Sequence, residues 1–180
     1  MQKFVIAGGP CAGKSTTIEL LEDAGYSTLH ETSKPIIDKY RAEHNGTIPW
    51  KTKDGKSFQH LTLYEQLKQE SALSPCGIYF LDGALPDRVA ICEHERVTVP
   101  PDIKQQLENQ TYTKVFLLEQ LPCELYKPDS HRPNSVSNSR TIGKVIEKYY
   151  STSKFPLVKI PFTTPKKRLQ LILKEVLKND

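Results

Sequence analysis

The chain has 180 residues, a formal charge of +4, and hydrophobic and charged fractions of 37% and 26%. Those values fit one domain spanning 1–180 that buries a core without staples, in a soluble globular chain. They leave no roughly 18-residue apolar run for a membrane span and no apolar core for a signal peptide, and the basic residues are too scattered to argue for nucleic acid.

Phe4-Val5-Ile6-Ala7 is a short apolar run that predicts a first strand. It meets Gly8-x-x-x-x-Gly13-Lys14-Ser15, after which Ile18, Leu20 and Leu21 follow a helical pattern, so strand, phosphate-loop pattern and helix come in the required order. Glycines let successive backbone N–H groups turn inward around a polyphosphate, and the next helix adds the positive end of its dipole. Gly9, Pro10, Cys11, Ala12, Gly13, Lys14, Ser15 and Thr16 are the expected nucleotide-binding residues. Lys14 is expected on the β- and γ-phosphates and Ser15 on Mg²⁺.

Gly25 closes the first helix, residues 26–30 read as a second strand, and Pro35, Ile36, Ile37 and Tyr40 mark a second helix. Residues 41–57 lack periodicity and read as a long polar loop of the kind that often carries function. Phe58, Leu61, Tyr64 and Leu67 give a third helix to about Leu73. Ile78-Tyr79-Phe80-Leu81 is uninterrupted apolar sequence, as a strand covered on both faces should be, and it ends in Asp82. Helical patterns follow around residues 89–91 and 103–107, then a buried strand at 115–118. Residues 121–135, with Pro122, Pro128, Asp129, His131, Arg132 and Pro133, form a second polar loop. Ile142, Val145, Ile146 and Tyr149 mark a helix, and residues 155–160 a last strand whose proline favours an edge. Thr164-Pro165 is an N-cap and N1 pair opening a final helix striped by Leu169, Ile172, Leu173, Val176 and Leu177. Strands alternating with helices predict a five-stranded parallel sheet in a three-layer α/β/α sandwich. Cys11, Cys76, Cys92 and Cys123 lie far apart with no C-x-x-C pair, which argues against zinc and disulfides and for reduced thiols in a cytoplasm.

Ligands of a parallel sheet sit outside the carboxyl ends of its strands, where Glu31, Asp82 and Glu119 fall. Asp82 ends an apolar strand in the Walker-B manner and can hold Mg²⁺ or cap the next helix. Glu31 can accept a proton from a substrate hydroxyl, or be a helix-start acid favoured by the dipole. Glu119 reads as surface. Arg132, with Arg140 eight residues on, can stabilise charge that develops on a transferring phosphoryl group. Trp50, Phe58 and Tyr64 either wall a substrate pocket or belong to the core, and Lys166-Lys167-Arg168 reads as a solvated basic face.

Gly-Gly-Pro-x-Ala-Gly-Lys-Ser is followed by Gly25-Tyr26, Glu31, Asp82-x-x-Leu85-Pro86-Asp87, Val115-Phe116-Leu117-Leu118 and Asp129-x-x-Arg132. Over nearly its whole length the chain resembles the small AAA-type P-loop domain related to the ribosylnicotinamide kinase part of NadR and to the TRPL translocation defect proteins. The resemblance implies a nucleoside- or nucleotide-kinase-like fold with an arginine-bearing lid, and an acidic residue after strand two that acts on the acceptor hydroxyl, here Glu31. Members of that family typically read Asp-Arg-Gly before Leu-Pro-Asp. This chain has Asp82-Gly83-Ala84 there, and Arg88, five residues on from Gly83, is expected to face elsewhere.

The functional expectation is an ATP-dependent kinase, with GTP not separated from ATP, that uses Mg²⁺ and phosphorylates a small acceptor such as a nucleoside or nucleotide. Lys14, Glu31, Asp82 and Arg132 would be catalytic, Ser15 and Asp82 metal-holding, and Arg132 would also touch the nucleotide. The rival is a nucleotide-dependent switch or NTPase that binds a protein or anionic lipid, which the absent arginine favours. A kinase for nucleic-acid 5′ ends lacks the basic, aromatic-interleaved stripe it would need.

Overall fold

A computed structural model describes residues 1–125 and 135–179. Its axis is β1 (Gln2–Ala7), whose Phe4, Val5, Ile6 and Ala7 are all fully buried. β1 is flanked on one side by β3 (Ile78–Asp82) and on the other by β4 (Lys114–Leu118), with β2 (Ser27–Leu29) and β5 (Leu157–Ile160) at the edges. Every pairing is parallel, in the order β2-β3-β1-β4-β5. Pro156 precedes an edge strand, where its missing N–H costs no ladder bond.

Seven α-helices are present among the described residues. α1 (Lys14–Asp23) and α7 (Pro165–Val176) cover one face of the sheet, where Ile18, Leu21, Ile172 and Val176 pack on Phe4, Ile6, Phe80 and Phe116. The Phe4 ring stacks between those of Phe80 and Phe116 at 5.2 and 6.0 Å. Burying each such ring contributes roughly 1.5–3 kcal/mol. α6 (Val136–Thr152) covers the opposite face, setting Ile146 and Tyr150 against Val5, Ala7, Leu81 and Val115. α2 (Ser33–Glu43) follows β2, while α3 (Gly55–Ser71), α4 (Leu85–His94) and α5 (Pro101–Asn109) share a third cluster around Leu63, Leu85, Val89 and Ile103. The expected three-layer sandwich is therefore observed.

The stretch read as a loop over 41–57 is shorter than that. α2 runs through Glu43, α3 begins at Gly55, and a 3₁₀ turn at Pro49–Lys51 lies between them. α3 ends at Ser71 rather than near Leu73. The Thr164 cap is as expected, its hydroxyl accepting from the Lys167 N–H with Pro165 in the first turn. No helix among the described residues is long and apolar enough to cross a membrane, and none of the four cysteines is in a disulfide.

One buried polar cluster bears on the site. Glu70 on α3 accepts from Lys3 Nζ (3.4 Å), the Gln66 amide (3.1 Å), Tyr112 Oη (2.8 Å) and the backbone N–H of Leu85 (2.9 Å). A buried carboxylate needs that many donors. The last of them fixes the start of α4, which carries Asp87 and Arg88.

Candidate active site

β1 ends at Ala7, and the chain turns through Gly8–Gly13 before α1 begins at Lys14. Gly8 and Gly13 have φ of +144° and +87°, and Cys11, at +57°, is a non-glycine residue in the left-handed region. That sequence of turns folds the loop back on itself. Five of its carbonyls are hydrogen-bonded. Lys14 Nζ donates to Gly8 O and Gly9 O at 3.0 Å each, the Gln120 amide to Pro10 O at 2.7 Å, and Arg168 Nη1 to Ala12 O at 2.6 Å. Gly13 O accepts from both N–H and Oγ1 of Thr17. The first amides of α1 have no partner inside the helix, so the hollow of the loop presents donors and a positive dipole end. An anion fits that chemistry.

The strand-end acids converge on the same place. Asp82 pairs in register with Ile6, next to the start of the loop, and its Oδ2 accepts from Ser15 Oγ at 3.2 Å. Its Oδ1 is buried without a hydrogen-bond partner. Burial pushes the Asp82 carboxyl above its ordinary value; Lys14 opposes that shift, and the negative charge of Glu31 adds to it. An orphaned carboxylate oxygen beside a hydroxyl is a donor set that suits a hard divalent cation.

Glu31, 8% exposed, lies between β2 and α2. Its Oε1 accepts from Ser33 Oγ at 2.9 Å and from Arg88 Nη2 at 3.3 Å, and Lys34 Nζ lies 4.0 Å from Oε2. Lys34 also donates to Ser15 Oγ at 3.0 Å and so ties the Glu31 side of the site to the Asp82 side. Arg88, expected to face elsewhere, instead points inward. It is 5% exposed, borders the cleft, and has its Nε buried and unpartnered. One turn of α4 from Leu85 is enough to swing residue 88 back over the missing side chain of Gly83, whose Cβ position lies 3.9 Å from Arg88 Nη2.

Lys14, Glu31, Asp87 and Arg88 line one cleft of about 700 Å³, counting its open mouth. Trp50 and Phe58 form an aromatic wall with ring centroids 5.7 Å apart, and Gln59 donates to Glu95 Oε2 at 2.7 Å on the same wall. Tyr64 does not join them; it is 44% exposed and bonds Asp102 on α5. Asp87 is buried at the edge of that cleft: its Oδ2 accepts from Tyr150 Oη at 2.5 Å and from the Ala84 N–H at 2.9 Å, and burial raises its pKa against those bonds.

Arg168, expected on a solvated face, is 3% exposed and turned under the loop. Glu119 is exposed, as expected, and accepts from the Phe162 N–H. Arg140 is exposed and lines a second cleft behind Gly8 and Gly9. Arg132, with most of the segment read as a lid, lies outside the described residues. Lys34, Asp87, Arg88 and Arg168 were thus missing from the sequence-based site. Only Arg88 carried a usable signal, as the one cation close behind the Walker-B aspartate.

A family profile described as an AAA domain matches residues 3–168. The chain belongs to the AAA domain family. No curated protein matches it. Among solved structures, this AAA domain is similar to deoxyadenosine kinase from M. mycoides, at 18% identity and a TM-score of 0.65, covering 98% of this chain and 100% of that one. It is also similar to thymidylate kinase from Candida albicans, at 14% identity and a TM-score of 0.59 over 99% and 92% of the two chains. Shikimate kinase from Aquifex aeolicus gives 18% identity and a TM-score of 0.53 over 99% and 98%. The fold of this AAA domain is that of the P-loop kinases.

Proposed function

We propose that this AAA domain transfers the terminal phosphoryl group of ATP or GTP to a hydroxyl of a small acceptor, a nucleoside rather than a nucleotide. The observation that carries this reading is that Lys14 and Glu31 border one cleft, with Arg88 holding the carboxylate. Lys14 leaves the Gly8 and Gly9 carbonyls for the β- and γ-phosphates, and the loop amides hold the rest of the chain of phosphates. Ser15 and Asp82 would hold Mg²⁺, which when bound neutralises charge on the β- and γ-oxygens. Glu31 takes the proton of the acceptor hydroxyl as its oxygen bonds to phosphorus and the bond to the bridging β-oxygen breaks. Arg132, outside the described residues, would neutralise charge on the transferring group.

Charge supports the choice of a neutral acceptor. Glu31 and Glu95 line the cleft against Arg88 and Lys14, and both cations are already engaged. A phosphorylated acceptor would meet an acidic wall. Trp50 and Phe58 suit a planar ring. Glycine at position 83 favoured the switch reading, but Arg88 supplies a guanidinium beside it.

Labelled ATP offered with nucleosides, pyridine ribosides and their 5′-monophosphates tests this. Transfer to an unphosphorylated riboside in preference to its monophosphate is the expected result. Lys14→Ala should weaken triphosphate affinity roughly 10–100-fold, the value of one charge-assisted contact. Transfer to none of them by protein shown to bind ATP would remove the kinase reading, whereas partner binding that followed the bound nucleotide would favour the switch.

A further inference from the structure

Arg168 sits on α7, behind the phosphate loop and away from the acceptor cleft, yet its guanidinium spans three separate segments. Nη1 donates to Ala12 O at 2.6 Å, Nη2 to Glu119 O at 2.8 Å, and Nε to Pro161 O at 3.3 Å. Those carbonyls belong to the phosphate loop, to the residue after β4 and to the residue after β5. The Phe162 ring lies 5.7 Å from the guanidinium carbon. A buried arginine is costly unless each of its donors is used. Here both terminal nitrogens and Nε are used on carbonyls, and the negative charge of Glu119 favours the guanidinium against the cost of burial.

The consequence for the loop is geometric. A peptide is planar, with its C=O and N–H pointing in opposite directions. Holding Ala12 O toward α7 therefore aims the Gly13 N–H away from α7, into the hollow of the loop. Gly13 permits the approach, because a Cβ there would lie 3.1 Å from Arg168 Nη1. We propose that Arg168 is a positioning residue that presets the phosphate loop in its anion-binding form by fixing the Ala12–Gly13 peptide and tying the loop to the ends of β4 and β5. It touches no phosphate and acts only through Ala12. Flipping an unheld peptide on binding would cost affinity; a preset one spends nothing on ordering.

This inference rests on the loop being a phosphate site, and the experiment separates the two. Magnesium tripolyphosphate and MgATP are titrated by calorimetry into the full chain, wild type, Arg168→Gln and Arg168→Lys, at a temperature where circular dichroism shows each one folded. Arg168→Lys keeps the charge and most of the stem but cannot reach three carbonyls, and it guards against the case in which Arg168→Gln fails to fold. Both variants are expected to bind tripolyphosphate and ATP at least fivefold more weakly, with faster nanosecond motion of the Gly13 and Lys14 amides by ¹⁵N relaxation. A merely structural role would lower the melting temperature and leave the affinity of folded protein unchanged. Wild-type affinity in Arg168→Lys would overturn the proposal, since charge alone would then account for any loss in Arg168→Gln. Tripolyphosphate and ATP both failing to bind the wild type would instead overturn the phosphate-loop reading beneath it.

Discussion

Arg88 Nη2 lies 3.3 Å from Glu31 Oε1, and both side chains are withdrawn from water, at 6% and 8% exposure. The pair joins the end of β2 to the first turn of α4 and sets the carboxylate on the wall of the cleft. Neither partner is easily removed. Deleting one of a buried pair leaves the other uncompensated, at a cost of about 3–5 kcal/mol.

Arg88→Met should therefore lower unfolding free energy in urea by about 3 kcal/mol or more, and adding Glu31→Gln should recover much of that loss. Glu31→Gln alone should leave nucleotide affinity within about twofold and depress turnover by about 10²–10⁴. Additive losses in the double variant would show that the two side chains do not act as a pair.

The sequence made the phosphate loop, the Asp82 strand end and the Thr164 cap legible because each is a local pattern whose chemistry needs only its own neighbours. Arg88 was hidden for a physical reason. Leu85 through Ala90 are all buried, so the first half of α4 has no solvent face from which a periodicity could be read. Arg168 was hidden by company: with Lys166 and Lys167 it looks like a charge run, and only the packing of α7 on α1 turns one of the three inward. Tyr64 shows the opposite error, an aromatic in helical step with Phe58 that points to solvent. Side-chain direction between helices is set by which elements meet, and one sequence does not display that.

Asp82 gives a pH dependence with a definite sign. Burial lifts its pKa in the folded protein above the ordinary value of about 4, so the folded state holds the proton to higher pH than the unfolded chain does. Stability from this group is present below that ordinary value and is lost as pH climbs through the folded one. Asp82→Asn, which can still accept from Ser15, should match the wild type in melting temperature near pH 4 and exceed it increasingly toward pH 8, each kcal/mol appearing as about 2–4 °C. Magnesium with ATP should reverse the order, since ligand stabilises only the protein that binds it. An asparagine variant less stable than wild type at pH 8 without ligand would contradict the burial argument.

Gly9 is glycine because of what surrounds it. A Cβ there would meet Ser139 O and Gln120 Oε1 at 2.8 Å and Gly143 Cα at 2.9 Å, two of them backbone atoms of α6 that cannot step aside. Gly9→Ala should cost about 1–3 kcal/mol by overpacking and push α6 off the loop, weakening triphosphate binding as well. Gly25→Ala supplies the contrast: φ is +87° but nothing lies within 4 Å, so only backbone strain of about 1–2 kcal/mol is expected, with unchanged nucleotide affinity. Equal nucleotide affinity in both variants would mean that the α6 contact does not shape the loop.

Tyr150 Oη donates to Asp87 Oδ2 at 2.5 Å where both are buried, and this bond is the main force holding the Asp87 pKa down against burial. Tyr150→Phe removes it and sends the carboxyl higher still. Below about pH 4 the acid is protonated folded or unfolded, so the loss there is that of a neutral hydrogen bond, about 0.5–1.5 kcal/mol. The unfolded chain is common to both proteins, so the loss grows only where folded Asp87 ionises in the wild type, toward the roughly 1.5–3 kcal/mol of a charged bond. Urea midpoints at pH 5 and pH 8 read the difference directly. A Tyr150→Phe penalty that shrank between them would mean that the hydroxyl favours the protonated carboxyl over the ionised one, and would contradict this account.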